Sequence, residues 1–267
     1  KPSAFQPENG LIMSKPRPRN RPNSHRRKSS SKPHGSGENW LWGVHAVRAA
    51  LANPKRRLTR LVGTKNGLDR LPNPVSGAEA LEPSAIDALL PRDAVHQGIA
   101  AQFDPLLPAA IEDVIASGAT RVAVLDQVSD PHNLGAIYRS AAAFGFSALI
   151  LQTRNAPPIT GIVAKAAVGA IETVTECRVV NIARALDRLN AVGFHSVGLA
   201  GEGRAMIGQA VRGASKLAIV LGAEGPGLRP GVAKACAELA RIPSASEMES
   251  FNVSNAAAIA FYEAARE

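Results

Sequence analysis

Asn133, Arg139, Glu224, Ser250 and Asn252 are polar or charged side chains in loops of this 267-residue chain, residue types that can bind a sugar, an anion or a cation. They fall in three blocks. The first is Leu125-Asp126-Gln127-Val128-Ser129-Asp130-Pro131-His132-Asn133-Leu134-Gly135-Ala136-Ile137-Tyr138-Arg139. The second is Val220-Leu221-Gly222-Ala223-Glu224-Gly225-Pro226-Gly227-Leu228. The third is Ile242-Pro243 followed by Ser250-Phe251-Asn252-Val253-Ser254-Asn255-Ala256. Each is a loop rich in Gly, Asn or Ser at the end of an apolar run. A guanidinium stays protonated and offers five N–H donors, so Arg139 suits a phosphate or a reacting hydroxyl; the alternative is a solvated surface cation. Asn133 is either part of the same site or the N-cap of the helix that follows it. His132 reads as a loop residue.

The glycines of the second block let backbone groups approach a ligand closely, or they form an ordinary turn. A dinucleotide loop is a poor fit. That pattern needs G-x-G-x-x-G opening a helix early in a sheet, whereas here Pro226 interrupts, Glu224 would repel a phosphate, and the loop comes late. A ligand with a neutral or cationic portion is better tolerated. In the third block Ser250, Asn252, Ser254 and Asn255 crowd a helix start. That is more than capping requires, and a helix start with spare donors can bind a carboxylate or sugar hydroxyls. Other chemistry is poorly served. The six His are scattered without ligand spacing, so no metal is expected. Ser246-Glu247-Met248-Glu249 offers carboxylates without a paired acid and base, and neither G-x-S-x-G nor a P-loop lysine occurs.

The elements needed to position these residues can be read from pattern. From Thr120 onward, apolar runs at 121–128, 148–151, 172–180, 194–200 and 217–221 read as strands of a buried parallel sheet. Helices are expected at 134–144, 161–169, 182–190, 230–238 and 252–265, with Asn133 and Gly145 bounding the first. Strands alternating with helices mean a doubly wound α/β sheet. Upstream, the spacing of Trp40, Val44, Val47 and Leu51 predicts a helix over 40–51. Strands are expected at 60–63 and 98–103, a short helix at 83–90, and a connecting helix at 106–118. This makes a small α/β domain over 39–105, a linker over 106–119 and a larger domain over 120–267.

Charge is unevenly spread. Residues 1–38 hold nine Lys/Arg and two Glu, most of the net charge of +9. Rich in Pro and Ser and poor in large apolar residues, they read as a disordered basic tail. A basic tail points to a polyanion, nucleic acid ahead of membrane, or serves as a solubilising segment. Aromatics are 4%, too few for stacking platforms. Cys177 and Cys236 form no framework and read as small buried hydrophobes. No apolar run of about 18 residues and no signal core occur, which fits a cytoplasmic protein.

The three ordered blocks resemble the signature motifs of the SpoU (TrmH-type) RNA ribose 2′-O-methyltransferases, with Asn133, Arg139, Glu224, Ser250 and Asn252 at the family's signature positions. The resemblance implies a SPOUT-type α/β parallel sheet whose C-terminal segment threads a trefoil knot. It also implies a homodimer and S-adenosyl-L-methionine held near Gly222, Ile242 and Phe251, with Gly201 a further candidate. Phe251 stands where leucine is usual. The resemblance makes Arg139 the residue at the hydroxyl, Asn133, Ser250 and Asn252 its orienting partners, and Glu224 the residue that fixes its loop and holds Asn133 or Arg139. Trp42-Gly43-Val44-His45-Ala46-Val47 and His96-Gln97-Gly98-Ile99-Ala100-Ala101 resemble the ends of an L30e-like RNA-binding domain, although 66–80 is loop-like here. That domain marks the subgroup acting on a guanosine of large-subunit (23S) rRNA. The expected activity is therefore methyl transfer to RNA, rRNA ahead of tRNA. The rival readings are a tRNA enzyme, a non-catalytic RNA-binding assembly factor and a nucleotide-dependent oxidoreductase.

Overall fold

A computed structural model describes residues 39–244 and 251–266. The tail over 1–38 and Ser250 therefore lie outside the described residues. The chain opens with β1 (Trp40–Trp42), α1 (Val44–Ala52), β2 (Leu58–Gly63), α2 (Lys65–Leu68), β3 (Glu79–Ala80), α3 (Pro83–Asp87) and β4 (Ile99–Phe103). These strands form a sheet ordered β1-β4-β2-β3, antiparallel except for the β2–β3 pair. The helix expected from Trp40 begins only at Val44. Trp40 and Trp42 turn to one apolar cluster with Val62, Ile86 and Leu90, while Leu41 turns to another with Val47 and Leu61. That two-residue alternation is a strand's, and the four-residue spacing of Trp40 and Val44 is incidental.

Of the expected connecting helix, only α4 (Ile111–Ala116) forms. Pro105 and Pro108 disfavour helix in the residues before them, and Ala109 N–H donates instead to Glu176 C=O at 2.8 Å. The chain continues with β5 (Arg121–Leu125), α5 (Pro131–Ala143), β6 (Ala148–Gln152), α6 (Gly161–Ala167), a 3₁₀ turn (Ala170–Glu172), β7 (Thr175–Val179), α7 (Ile182–Ala191) and β8 (His195–Leu199). Next come β9 (Ala205–Met206), α8 (Ile207–Ala210), β10 (Leu217–Leu221), α9 (Pro230–Ala235), β11 (Glu238–Arg241) and α10 (Val253–Ala265). The second sheet is parallel throughout, in the order β7-β6-β5-β10-β8-β11-β9.

Both faces of this sheet are covered, as its apolar strands require. Ala123, Leu125, Leu149, Leu151, Ile219 and Leu221 pack under α5, α6 and α10. Val122, Val124, Ala148, Ile150 and Val220 pack with α4, α7 and α9 on the other face. The doubly wound reading holds. The helix expected over 230–238 stops at Ala235, where Ser196 Oγ accepts Ala237 N–H at 2.8 Å. Glu238–Arg241 then enters the sheet beside β8, and packing in the sheet overrides its helix-favouring Ala, Glu and Leu. The two sheets meet closely. A Cβ added to Gly161, the first residue of α6, would lie 2.0 Å from the Trp42 ring.

Candidate functional site

β5 and β10 run side by side and end together, Leu125 opposite Leu221, delivering the first two blocks to the carboxyl edge where open parallel sheets bind ligands. Asp126 follows directly and is 1% exposed. Its N–H donates to Leu221 C=O at 2.8 Å, and its carboxylate accepts Arg229 N–H at 3.0 Å and Arg229 Nε at 2.8 Å. This ion pair fastens the far end of the second block to the end of β5. The sequence reading missed both residues; the available signal was an aspartate closing an apolar strand, a buried charge that needs a partner.

α5 starts one turn earlier than expected. Asp130 is its N-cap, accepting His132 N–H at 2.8 Å, and Pro131 takes the first helical position. Asn133 is therefore not the cap. It lies buried in the first turn, and its Oδ1 accepts from Asn252 Nδ2 at 3.0 Å. Asn252 Oδ1 meanwhile caps α10, accepting Ser254 N–H at 2.9 Å and Ser254 Oγ at 2.6 Å. One side chain thus caps its own helix and binds the first turn of another. Arg139, two turns along α5, is exposed and makes neither a hydrogen bond nor an ion pair with any described residue.

The second block folds on itself. Ala223 and Gly227 exchange N–H···O bonds at 3.0 and 3.1 Å, and Gly225 and Gly227 take positive φ. A Cβ on Gly222 would lie 2.2 Å from Gly227 C, so glycine is needed there for loop closure. Beyond the ends of β8, β10 and β11 this loop walls a cleft of about 660 Å³. Gly201, Gly222, Ile242 and Phe251 all line it, as do Val253 and Ala256. The four residues expected at a cofactor are therefore brought together from four places in the chain, after β8, β10 and β11 and before α10. Phe251 and Val253 face the cleft while Asn252, between them, reaches Asn133, so the third block joins the cleft to the first block. Glu224 lines the cleft but is exposed and bonds neither Asn133 nor Arg139, contrary to expectation. Glu202, not anticipated from sequence, adds a second exposed carboxylate to the lining.

Two buried groups, Tyr138 and Cys236, are poor bases. Burial first, then Glu176, pushes the Tyr138 hydroxyl well above its ordinary 10.0. Burial first, then Asp126, pushes the Cys236 thiol to about 12. Both stay protonated at neutral pH. Among the described residues no group of three or more His, Cys, Asp and Glu could hold a metal ion. No helix among them is long and apolar enough to cross a membrane.

The family model described as SpoU rRNA Methylase family matches residues 120–262. The chain is 37% identical over 239 residues to the 23S rRNA (guanosine-2'-O-)-methyltransferase RlmB of Vibrio vulnificus, covering 85% of this chain and 96% of that protein. Against the RlmB of Escherichia coli the identity is 35%, covering 85% and 98%. A putative RNA methyltransferase of the TrmH family from Porphyromonas gingivalis superposes with TM-score 0.69 at 27% identity, covering 85% of this chain and 89% of that one. At 21% identity and TM-score 0.72, with 85% and 89% covered, the SpoU methyltransferase AviRb of Streptomyces viridochromogenes, crystallised with AdoMet, shares the fold.

Proposed function

The chain belongs to the SpoU rRNA methylase family, and on that premise we propose that it transfers a methyl group from S-adenosyl-L-methionine to a ribose 2′-hydroxyl of RNA, in the first place a guanosine of 23S rRNA. The observation that carries this reading is the Asn252–Asn133 hydrogen bond. It joins the polar first turn of α5 to a cleft lined by every residue expected at the cofactor.

The cleft suits S-adenosyl-L-methionine. A Cβ on Gly201 would meet nothing, so backbone there is open to a ligand. Ile242 and Phe251 offer apolar surface, and Glu202 and Glu224 favour a cation over a phosphate. When bound, the cofactor supplies a methyl group already activated by its sulfonium. The protein's remaining task is to align the 2′-oxygen and make it more nucleophilic. A guanidinium is a fixed cation and no base, so Arg139 does not take the hydroxyl proton. It clamps a substrate phosphate and lowers the hydroxyl pKa electrostatically, while Asn133, Ser250 and Asn252 orient ribose and phosphate.

The same reading assigns 120–267 to catalysis, with its C-terminal segment knotted and a homodimer completing the cleft. It assigns 39–105 to an L30e-like RNA-binding role, 106–119 to a linker and 1–38 to electrostatic capture of RNA in the cytoplasm. The test is transfer of labelled methyl from S-adenosyl-L-methionine to unmodified rRNA and tRNA, followed by digestion to nucleosides. Label in 2′-O-methylguanosine of large-subunit rRNA is expected. Label only in tRNA would overturn the substrate, and no label in rRNA, tRNA or assembling large subunits would overturn the activity.

A further inference from the structure

The carboxyl edge of the sheet holds an arginine that none of the three blocks contains and that no described acid neutralises. β6 lies beside β5 in register, Leu151 opposite Leu125, so the β6–α6 loop leaves the sheet next to the loop that starts α5. Arg154 stands in that loop, exposed, with neither hydrogen bond nor ion pair to any described residue. The loop is held firmly. Thr153 N–H donates to Val179 C=O at 2.8 Å. Arg178 on β7 spends its guanidinium on the same loop, Nη2 donating to Pro157 C=O at 2.7 Å and Nη1 to Ala156 C=O at 3.4 Å, with Nε on Glu176 Oε1 at 2.6 Å. Asn155 adopts φ 69°, a left-handed conformation that asparagine tolerates and that turns the chain just after Arg154.

The neighbouring carboxylates are already committed. Glu176 is paired with Arg178, Asp126 with Arg229, and Asp130 caps α5. A loop held by these bonds thus presents a cation that no described acid neutralises, on the edge where α5 begins. We propose that Arg154 is an RNA contact that grips a backbone phosphate flanking the methylated nucleotide. The proposal rests on the RNA methyltransferase reading above and adds to it a contact outside the three blocks. A phosphate contact positions the substrate without reading sequence.

The test compares Arg154→Ala, Arg154→Lys and Arg212→Ala in the full chain. Arg212 is another exposed arginine whose side chain bonds no described residue, in the turn between α8 and β10, at the amino end of the sheet. Arg154→Ala should raise KM for unmodified rRNA by roughly three- to tenfold with kcat nearly unchanged. The slope of log affinity against log salt should fall by about 0.7 to 1, the mark of one lost phosphate contact. Arg154→Lys keeps a point charge and should restore the slope. S-adenosyl-L-methionine affinity should be the same in all three. The proposal is wrong if Arg154→Ala behaves like Arg212→Ala, if RNA affinity falls with the salt slope unchanged, or if cofactor affinity falls with it. Wild-type protein that methylates no RNA would instead overturn the reading beneath it.

Discussion

A guanidinium that no described residue neutralises is available to whatever anion arrives, and Arg139 is in that condition. Tyr138 beside it and Cys236 near Asp126 are the opposite case, polar groups whose burial keeps them protonated and out of acid–base chemistry. The contrast supports the proposal that a fixed positive charge, and neither Tyr138 nor Cys236, activates the 2′-hydroxyl. Arg139→Ala should therefore lower kcat by about 10²–10³, the usual loss when one preorganised donor at a reacting oxygen is removed. S-adenosyl-L-methionine affinity should stay within about twofold, since Arg139 is not part of the cleft lining. Arg139→Lys should fall between, keeping charge and losing the bidentate fork. Single-turnover rates and a calorimetric cofactor titration would measure both quantities, and lost cofactor affinity in Arg139→Ala would contradict the assignment.

At the scale of elements, the second block shows what glycine does here. Its composition suggests room for a ligand, and the structure adds a demand from the loop itself: Gly222 packs against the backbone of Gly227 and Leu228. Gly222→Ala should displace that turn and weaken S-adenosyl-L-methionine binding at least tenfold. It should destabilise the fold by about 1–3 kcal/mol, the range for overpacking, as denaturant titration would show. Gly225, with open space around a Cβ, should tolerate alanine better sterically while still bearing its positive φ. The sequence made the central strands legible because a strand buried on both faces must be continuously apolar, as in Leu217–Leu221. It misleads at Trp40–Trp42 and at the end of the helix expected over 230–238, where spacing and propensity favour helix and only tertiary packing decides otherwise. Of the two readings of Asn133, the helix cap fails for a related reason. Asp130-Pro131 is the better helix start by local chemistry, but Asn252, 119 residues away, is what gives Asn133 its partner. Strand order was not legible at all, because adjacency depends on where crossovers carry the chain.

Across the whole molecule, the RNA-binding role proposed for 39–105 makes the placement of the four-stranded sheet against the seven-stranded one a functional question. The described residues fall in one compact unit, and its largest apolar cluster includes Leu41, Val47 and Leu61 with Leu134, Val163 and Ile171. Apolar contact of this kind has little directional preference. Direction comes from an ion pair at the seam. Arg56 donates to Glu172 through Nε at 3.1 and 3.2 Å and through Nη2 at 2.9 Å, and Asn53 Nδ2 donates to the same carboxylate at 2.7 Å. Arg56 Nη1 also holds Asp104 C=O at 3.2 Å, just past β4. The two charged side chains are 5% and 4% exposed, so removing one strands the other in a dry site. Arg56→Met should cost about 3–5 kcal/mol, and Glu172→Leu a comparable amount. The double variant should recover most of that loss, because two well-packed apolar groups can replace a buried pair at little cost. Denaturant titration of the four proteins gives the coupling directly. The double variant also separates stability from orientation. If the bonds aim one sheet at the other, it should fold and bind S-adenosyl-L-methionine like wild type and yet show a raised KM for rRNA. An unchanged KM would mean that apolar contact alone sets the arrangement.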